Sequence, residues 1–268
     1  MLCANFALIR LYIFQGKTDG AAELLRRLRS DVTGESRAVY NTALELIEGY
    51  VCACLGRPGG IPQWLQTGDM SPGSFMFEGL AFSYIVYGKA VLLSKNYLKL
   101  EMLTEVFPQY FAVFHNQLGF LHNRVFAAAA KYRLYGAAAG CAELKAALDM
   151  AREDHIILTF AEYAPDIIGM MRQIAADSPR DGYIKEVLLA CGRYMESLKR
   201  APHSAAALSN RELEILALAA EGLKRNEIAG RLHVSAATVK THMENIYRKL
   251  GARGKTEAIK KAENLKIL

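Results

Sequence analysis

Along the first two hundred residues the apolar positions recur at helical spacing, in long segments separated by sharp breaks. Strict apolar–polar alternation is scarce and no Asn-Gly hairpin occurs, so strands are not expected. The breaks fall at Gly16, Gly56, Asn96 and Gly136, each 40 residues after the last. Aromatic or aliphatic residues precede every break, as in LYIFQG, YVCACLG, AVLLSKN and KYRLYG. Small and leucine-rich segments follow three of them, while the second is followed by GRPGGIPQWL. Pro62 and the run Ser71-Pro72-Gly73 interrupt the chain after the second break. Residues 177–182 form a further loop before a last helix from about Tyr183 to Lys199.

A fixed period near this length predicts stacked helical hairpins, an α-solenoid. Each hairpin leaves an apolar face that only its neighbours can bury. The period exceeds the ~34 residues of a tetratricopeptide (TPR) unit. The expected class is all-α, a TPR-like helical-repeat domain over residues 1–199, with a compact non-repeat bundle as the alternative. Residues 200–207, RAPHSAAA, lack apolar periodicity and read as a linker to a second domain at 208–268.

That last segment has its own pattern. Ser209 and Glu212 make a capping box before Leu213, Leu216 and Ala220, and Gly222 ends the helix. A second helix, about Arg225 to Leu232, buries Ile228, Ala229 and Leu232. His233-Val234 turns the chain, and Ser235 caps a third helix ending at Gly251. Val239, Met243, Ile246 and Leu250 give the third helix one apolar stripe. Its other face carries Thr238, Lys240, Thr241, Glu244, Asn245 and Arg248. A fourth helix, about Lys255 to Asn264, presents Ala258, Ile259, Ala262 and Leu265. Two short helices around a tight turn, the second amphipathic and basic, form a helix-turn-helix unit.

Charge follows the same division. Residues 203–268 carry 12 Lys and Arg against 7 Asp and Glu, whereas the first 202 residues carry 21 against 20. Concentrating the excess in a small module points to a polyanionic partner for that module. The five cysteines have no framework spacing, which fits reduced thiols in a cytoplasmic protein. The apolar N-terminus is interrupted by Arg10 and reads as a helix rather than a signal peptide. The longest apolar run, Gly79 to Leu93, is too short to span a bilayer and contains Lys89.

Catalytic chemistry is not expected. Gly16-Lys17-Thr18 lacks the earlier glycine of a phosphate loop and follows a helix. His115 and His122 are seven apart and can share a helix face, but no third metal ligand is evident. Tyr84, Tyr87, Tyr97, Tyr110 and Phe111, at helical spacing, read as hairpin core. No nucleophile elbow is present. No cofactor and no metal are expected.

Residues 208–260 resemble the LuxR-type four-helix DNA-binding domain. The matching positions include Leu208, Arg211, Glu212, Glu214, Leu216, Gly222, Glu227-Ile228-Ala229, Leu232 and Val234-Ser235. They continue through Thr238-Val239-Lys240, His242, Ile246, Lys249-Leu250 and Thr256-Glu257-Ala258. The resemblance implies that the third helix enters the major groove of double-stranded DNA and that the fourth supports a homodimer. By position it implies base contacts for Lys240, Thr241 and Glu244. It implies phosphate contact or orientation for Thr238, His242, Arg248 and Lys249. Lys224 replaces the small hydroxyl residue usual before the second helix, and an acidic Glu244 stands where several relatives are basic. More weakly, Tyr87-Gly88-Lys89-Ala90, Leu92-Leu93-Ser94, Tyr97-Leu98 and Phe160-Ala161-Glu162 resemble the helical-repeat region of MalT-like regulators. There a nucleotide-binding domain usually precedes the repeats, so a compact form or a truncation is implied. The expected function is transcription regulation, with an unknown small-molecule or protein effector on the repeats. The alternative is an interaction scaffold whose helix-turn-helix contacts RNA polymerase rather than DNA.

Overall fold

The computed structural model describes residues 2–30, 37–70, 77–113, 115–200, 208, 210–232, 234–250 and 252–264. Every regular element among them is a helix. The chain divides into two units, Met1–Ala201 and Pro202–Leu268, each with its own apolar core.

In the first unit the helices pair as hairpins. α1 (Leu2–Phe14) turns at Gly16 into α2 (Thr18–Ser30), and α3 (Arg37–Cys54) turns at Gly56. Where the sequence reads GRPGGIPQWL, a full return helix is missing. A 3-10 turn (Pro58–Gly60) and a five-residue helix, α4 (Gln63–Thr67), take its place, with Pro62 at the N-cap. α5 (Phe77–Leu93) pairs with α6 (Tyr97–Ala112), and α7 (Gln117–Tyr135) with α8 (Ala137–Arg152) through Gly136. The single-turn α9 (Leu158–Ala161) leads into α10 (Ala164–Asp177), which pairs with α11 (Gly182–Arg200). Gly16, Gly56 and Gly136 have φ of +75°, +65° and +94°, the left-handed region that a Cβ disfavours. At the third turn Lys95, not Asn96, takes that conformation, at φ +58°. Asn96 instead caps α6, its side chain accepting from the Lys99 amide at 3.1 Å. The loop predicted at Ser71-Pro72-Gly73 lies outside the described residues, as does residues 201–207 of the predicted linker.

Consecutive hairpins pack side by side, consistent with a repeat array. The first and last helices also meet. α1 packs on α11, and the Ser197 hydroxyl donates to the Ile13 carbonyl at 3.0 Å. Inside lies a polar cluster drawn from four of the hairpins and from Glu162 and Tyr163, the two residues between α9 and α10. Arg10 on α1 forms a two-pronged pair with Glu162, at 2.7 and 2.9 Å, and the Tyr50 hydroxyl of α3 donates to the same carboxylate at 2.5 Å. Lys89 on α5 is buried, with its ammonium 3.7 Å from the centre of the Tyr163 ring and 4.7 Å from that of Tyr50. Ring faces carry negative potential, so this stacking partly replaces lost hydration. His122 on α7 shares a 2.6 Å hydrogen bond with the Tyr163 hydroxyl. His115 is not on that helix: it sits at the joint before α7 with φ +50°, so the two histidines share no face. Of the aromatic residues read as core, Tyr87 and Phe111 are buried, Tyr84 and Tyr97 are half-buried against the core, and half-buried Tyr110 stacks on Tyr84 at 4.0 Å.

Candidate nucleic-acid interface

The second unit consists of α12 (Asn210–Ala220), α13 (Arg225–Arg231), α14 (Ala236–Leu250) and α15 (Lys255–Asn264). Its core joins Ile215, Leu216 and Ala219 of α12 with Ile228 of α13, Val239 and Ile246 of α14, and Ala258 and Ala262 of α15. The apolar stripe of α14 is thus committed to the interior, and its opposite side must face outward. Ala258 and Ala262, the strip expected to support pairing, are fully buried inside their own module, with Ile259 packed against the same core.

Polar ties fix the helices. Ser235 caps α14, its hydroxyl accepting from the Thr238 amide at 3.0 Å and sharing a 2.8 Å bond with the Thr238 hydroxyl. Before α13, Lys224 has no side-chain acceptor to offer, but Glu227 reaches back to accept the Lys224 amide at 2.6 Å. Half of the capping arrangement therefore survives the substitution of a hydroxyl residue by lysine. Arg211 of α12 donates to the Leu232 carbonyl at 2.8 Å, holding the turn between α13 and α14. Lys255 donates to the Leu223 carbonyl at 3.2 Å, tying α15 to the loop between α12 and α13. These two anchors were not legible from spacing, because each joins a side chain to a backbone carbonyl far along the chain. Ser209, His233 and Gly251, expected at a cap, a turn and a helix end, lie outside the described residues.

Ala237, Lys240, Thr241 and Glu244 are exposed and, at steps of three, one and three, share the outer face of α14. Lys240 and Glu244 approach to 3.8 Å with side chains 58% and 61% exposed, so the pair holds neither residue firmly. The Thr241 hydroxyl donates to the Ala237 carbonyl at 3.2 Å, which leaves its oxygen able to accept. Thr238 and His242 are half-buried. Lys249 is turned inward: its ammonium lies 2.5 Å from Glu212, whose side chain is only 4% exposed. The side chain of Arg248 is outside the described set. Burial raises the Tyr247 phenol above its ordinary value, so it stays a neutral packing group at the edge of the core.

This arrangement presents hydrogen-bonding side chains on a helix held from behind by three others, the geometry that base-edge reading requires. A family model described as bacterial regulatory proteins, luxR family, matches residues 206–262. Residues 206–262 are a LuxR-family helix-turn-helix domain. Over 58 residues the chain is 43% identical to the HTH-type transcriptional regulator MalT of Serratia proteamaculans. It is 41% identical to the proteins of that name from Yersinia enterocolitica and Cronobacter sakazakii. Each match covers 22% of this chain and 6% of the relative, and so rests on the LuxR-type module alone. No solved structure matches the chain. Among the described residues no helix is long and apolar enough to cross a membrane, and no group of three or more His, Cys, Asp or Glu is placed to hold a metal ion.

Proposed function

We propose that the chain is a cytoplasmic, sequence-specific transcription regulator whose residues 208–268 form the DNA-binding domain and whose helical-repeat domain, residues 1–199, receives a ligand or protein signal. The reading is carried by the outward face of α14, presented by a capped helix inside a LuxR-family module. Lys240 and Thr241 are assigned to base edges or to the phosphates beside them. Glu244 is assigned to a base-edge acceptor role, taking a hydrogen bond from a cytosine amino group. Thr238 at the first turn, His242 and Arg248 are assigned to orienting the helix on the backbone. Lys249 is given a structural part, since its ammonium is engaged by Glu212. Where two modules meet on a two-fold site, α15 pairs through the residues it leaves outward, Thr256, Lys260 and Glu263 around Ile259.

The test is DNA affinity of the full chain, measured on selected operator fragments against salt. Counterion release makes log affinity fall linearly with log salt, with a slope near −0.9 per phosphate neutralised. Lys240→Ala should lower affinity by about 1–3 kcal/mol if it contacts a base. Glu244→Gln should shift sequence preference at one position more than it shifts overall affinity. A salt-independent affinity, or a Lys240→Ala variant that binds as the wild type does, rejects the proposal.

A further inference from the structure

In the helical unit a cleft of about 640 Å³ opens where the end of α1 meets α10 and α11. That size falls in the range of roughly 300–1,000 Å³ typical of small-molecule sites. Its apolar walls come from Phe14, Ile168, Leu188 and Leu189, and Leu189 is 62% exposed. Two guanidinium groups, Arg172 of α10 and Arg193 of α11, line the same space. Neither has an ion-pair or hydrogen-bond partner among the described residues. The acidic residue in the lining, Glu196, lies 2.7 Å from the Lys199 ammonium, so the cleft keeps a positive balance. Gly192 adds room: a Cβ built there meets nothing within 4 Å. Ser197, at the edge of the cleft, is the residue that bonds α11 to the Ile13 carbonyl. The cleft therefore sits on the seam where the first helix of the unit meets the last.

We infer that this cleft binds a small organic anion, a carboxylate or phosphate ester with an apolar body. Arg172 and Arg193 take the anionic head, because the planar guanidinium fork matches two oxygens at once. The apolar walls take the body. Such a ligand would bridge α1, α10 and α11, and α11 is the helix whose chain continues through residues 201–207 into the LuxR-type module. The cleft is thereby the effector site of the regulator, an assignment that rests on reading the helical unit as the receiver of a signal.

The test uses the full chain and the fluorescent anion 8-anilinonaphthalene-1-sulfonate, displaced by octanoate, octyl phosphate or octanol. Octanoate and octyl phosphate should displace the probe, and their relative strength identifies the head group. Octanol, lacking the charge, should be about tenfold weaker or more. Lengthening the carboxylate should tighten binding by up to roughly fourfold per buried methylene. Arg172→Glu with Arg193→Glu should abolish displacement by the anions, and Gly192→Leu should fill the site, both with an unchanged helical circular dichroism spectrum. Equal competition by octanol and octanoate would overturn the inference. So would displacement that survives both variants, or probe release by an acidic amphipathic peptide but by neither small anion. No DNA is present in the measurement, so failure of ligand binding and failure of DNA binding are read separately.

Discussion

Two Lys–Glu pairs in the LuxR-type module look alike on paper and differ in physics. Lys249 and Glu212 meet at 2.5 Å with side chains 19% and 4% exposed, while Lys240 and Glu244 stand 3.8 Å apart and more than half exposed. An exposed pair contributes about 0–1 kcal/mol, whereas removing one partner of a buried pair leaves a charge less compensated away from water and costs up to about 3–5 kcal/mol. Urea denaturation should therefore find Lys249→Ala strongly destabilising and Lys240→Ala close to neutral, with DNA affinity moving the other way once folded protein is compared. The amphipathic pattern could not separate the two lysines by role. At 3.6 residues per turn Lys249 lies beside Ile246 and Leu250 at the margin of the apolar stripe, and Glu212 is 37 residues away in sequence. His122 ties the stability of the helical unit to pH. Burial, followed by the charges of Lys89 and Arg10, pushes its pKa well below the ordinary value, so it is neutral in the fold. Below the unfolded pKa of about 6.5, the unfolded chain takes up a proton that folded His122 refuses, and stability falls as pH drops toward the folded pKa. The loss approaches about 1.4 kcal/mol per pH unit. His122→Gln keeps a partner for the Tyr163 hydroxyl without titrating, and its stability between pH 7 and pH 5 should fall less steeply than that of the wild type.

At the scale of helices, Pro108 raises a problem that the neighbouring element answers. It lies inside α6 and has no amide hydrogen, so the Thr104 carbonyl loses its donor from the next turn. Asn123 of α7 supplies one instead, its Nδ2 donating to the Thr104 carbonyl at 2.9 Å. The other amide atom, Asn123 Oδ1, is buried without a hydrogen-bond partner among the described residues. Asn123→Ala should cost about 1–3 kcal/mol by stranding that carbonyl. In a Pro108→Ala background the helix regains its own donor, and the same substitution should cost less, by a coupling of about 0.5–3 kcal/mol in a double-mutant cycle. Additive costs would show that the proline and the asparagine act independently. Elements of this kind were only partly legible in advance. The turns at Gly16, Gly56 and Gly136 announced themselves because left-handed backbone selects glycine. The third turn lies one residue before the asparagine that marks it, because asparagine serves equally as a turn residue and as a cap, and here it caps. The cross-helix bond at Pro108 gave no signal, since nothing in local spacing tells which later asparagine will reach back.

For the whole molecule, the period of the first unit predicts contacts between neighbouring hairpins, and those are present. It does not predict the meeting of α1 with α11, or the pairing of Arg10 with Glu162 across 152 residues, because long-range closure leaves no mark on local periodicity. The charge division along the chain, in contrast, follows the two-unit division closely, since surface charge is set by partner rather than by packing. Two separate apolar cores imply two separate cooperative transitions. Ile246 is fully buried in the smaller core, so Ile246→Val removes one methylene there at about 0.5–1.5 kcal/mol. In a module of this size each kcal/mol moves the midpoint by about 4–8 °C. Calorimetry of the full chain should thus show one transition shifted down by several degrees and another unmoved, while Leu144→Ala, in the larger core, should do the reverse. A single transition displaced as a whole by Ile246→Val would mean that the two cores unfold as one, and that the signal proposed for the helical unit would act on the LuxR-type helices through shared stability rather than along the chain that joins them.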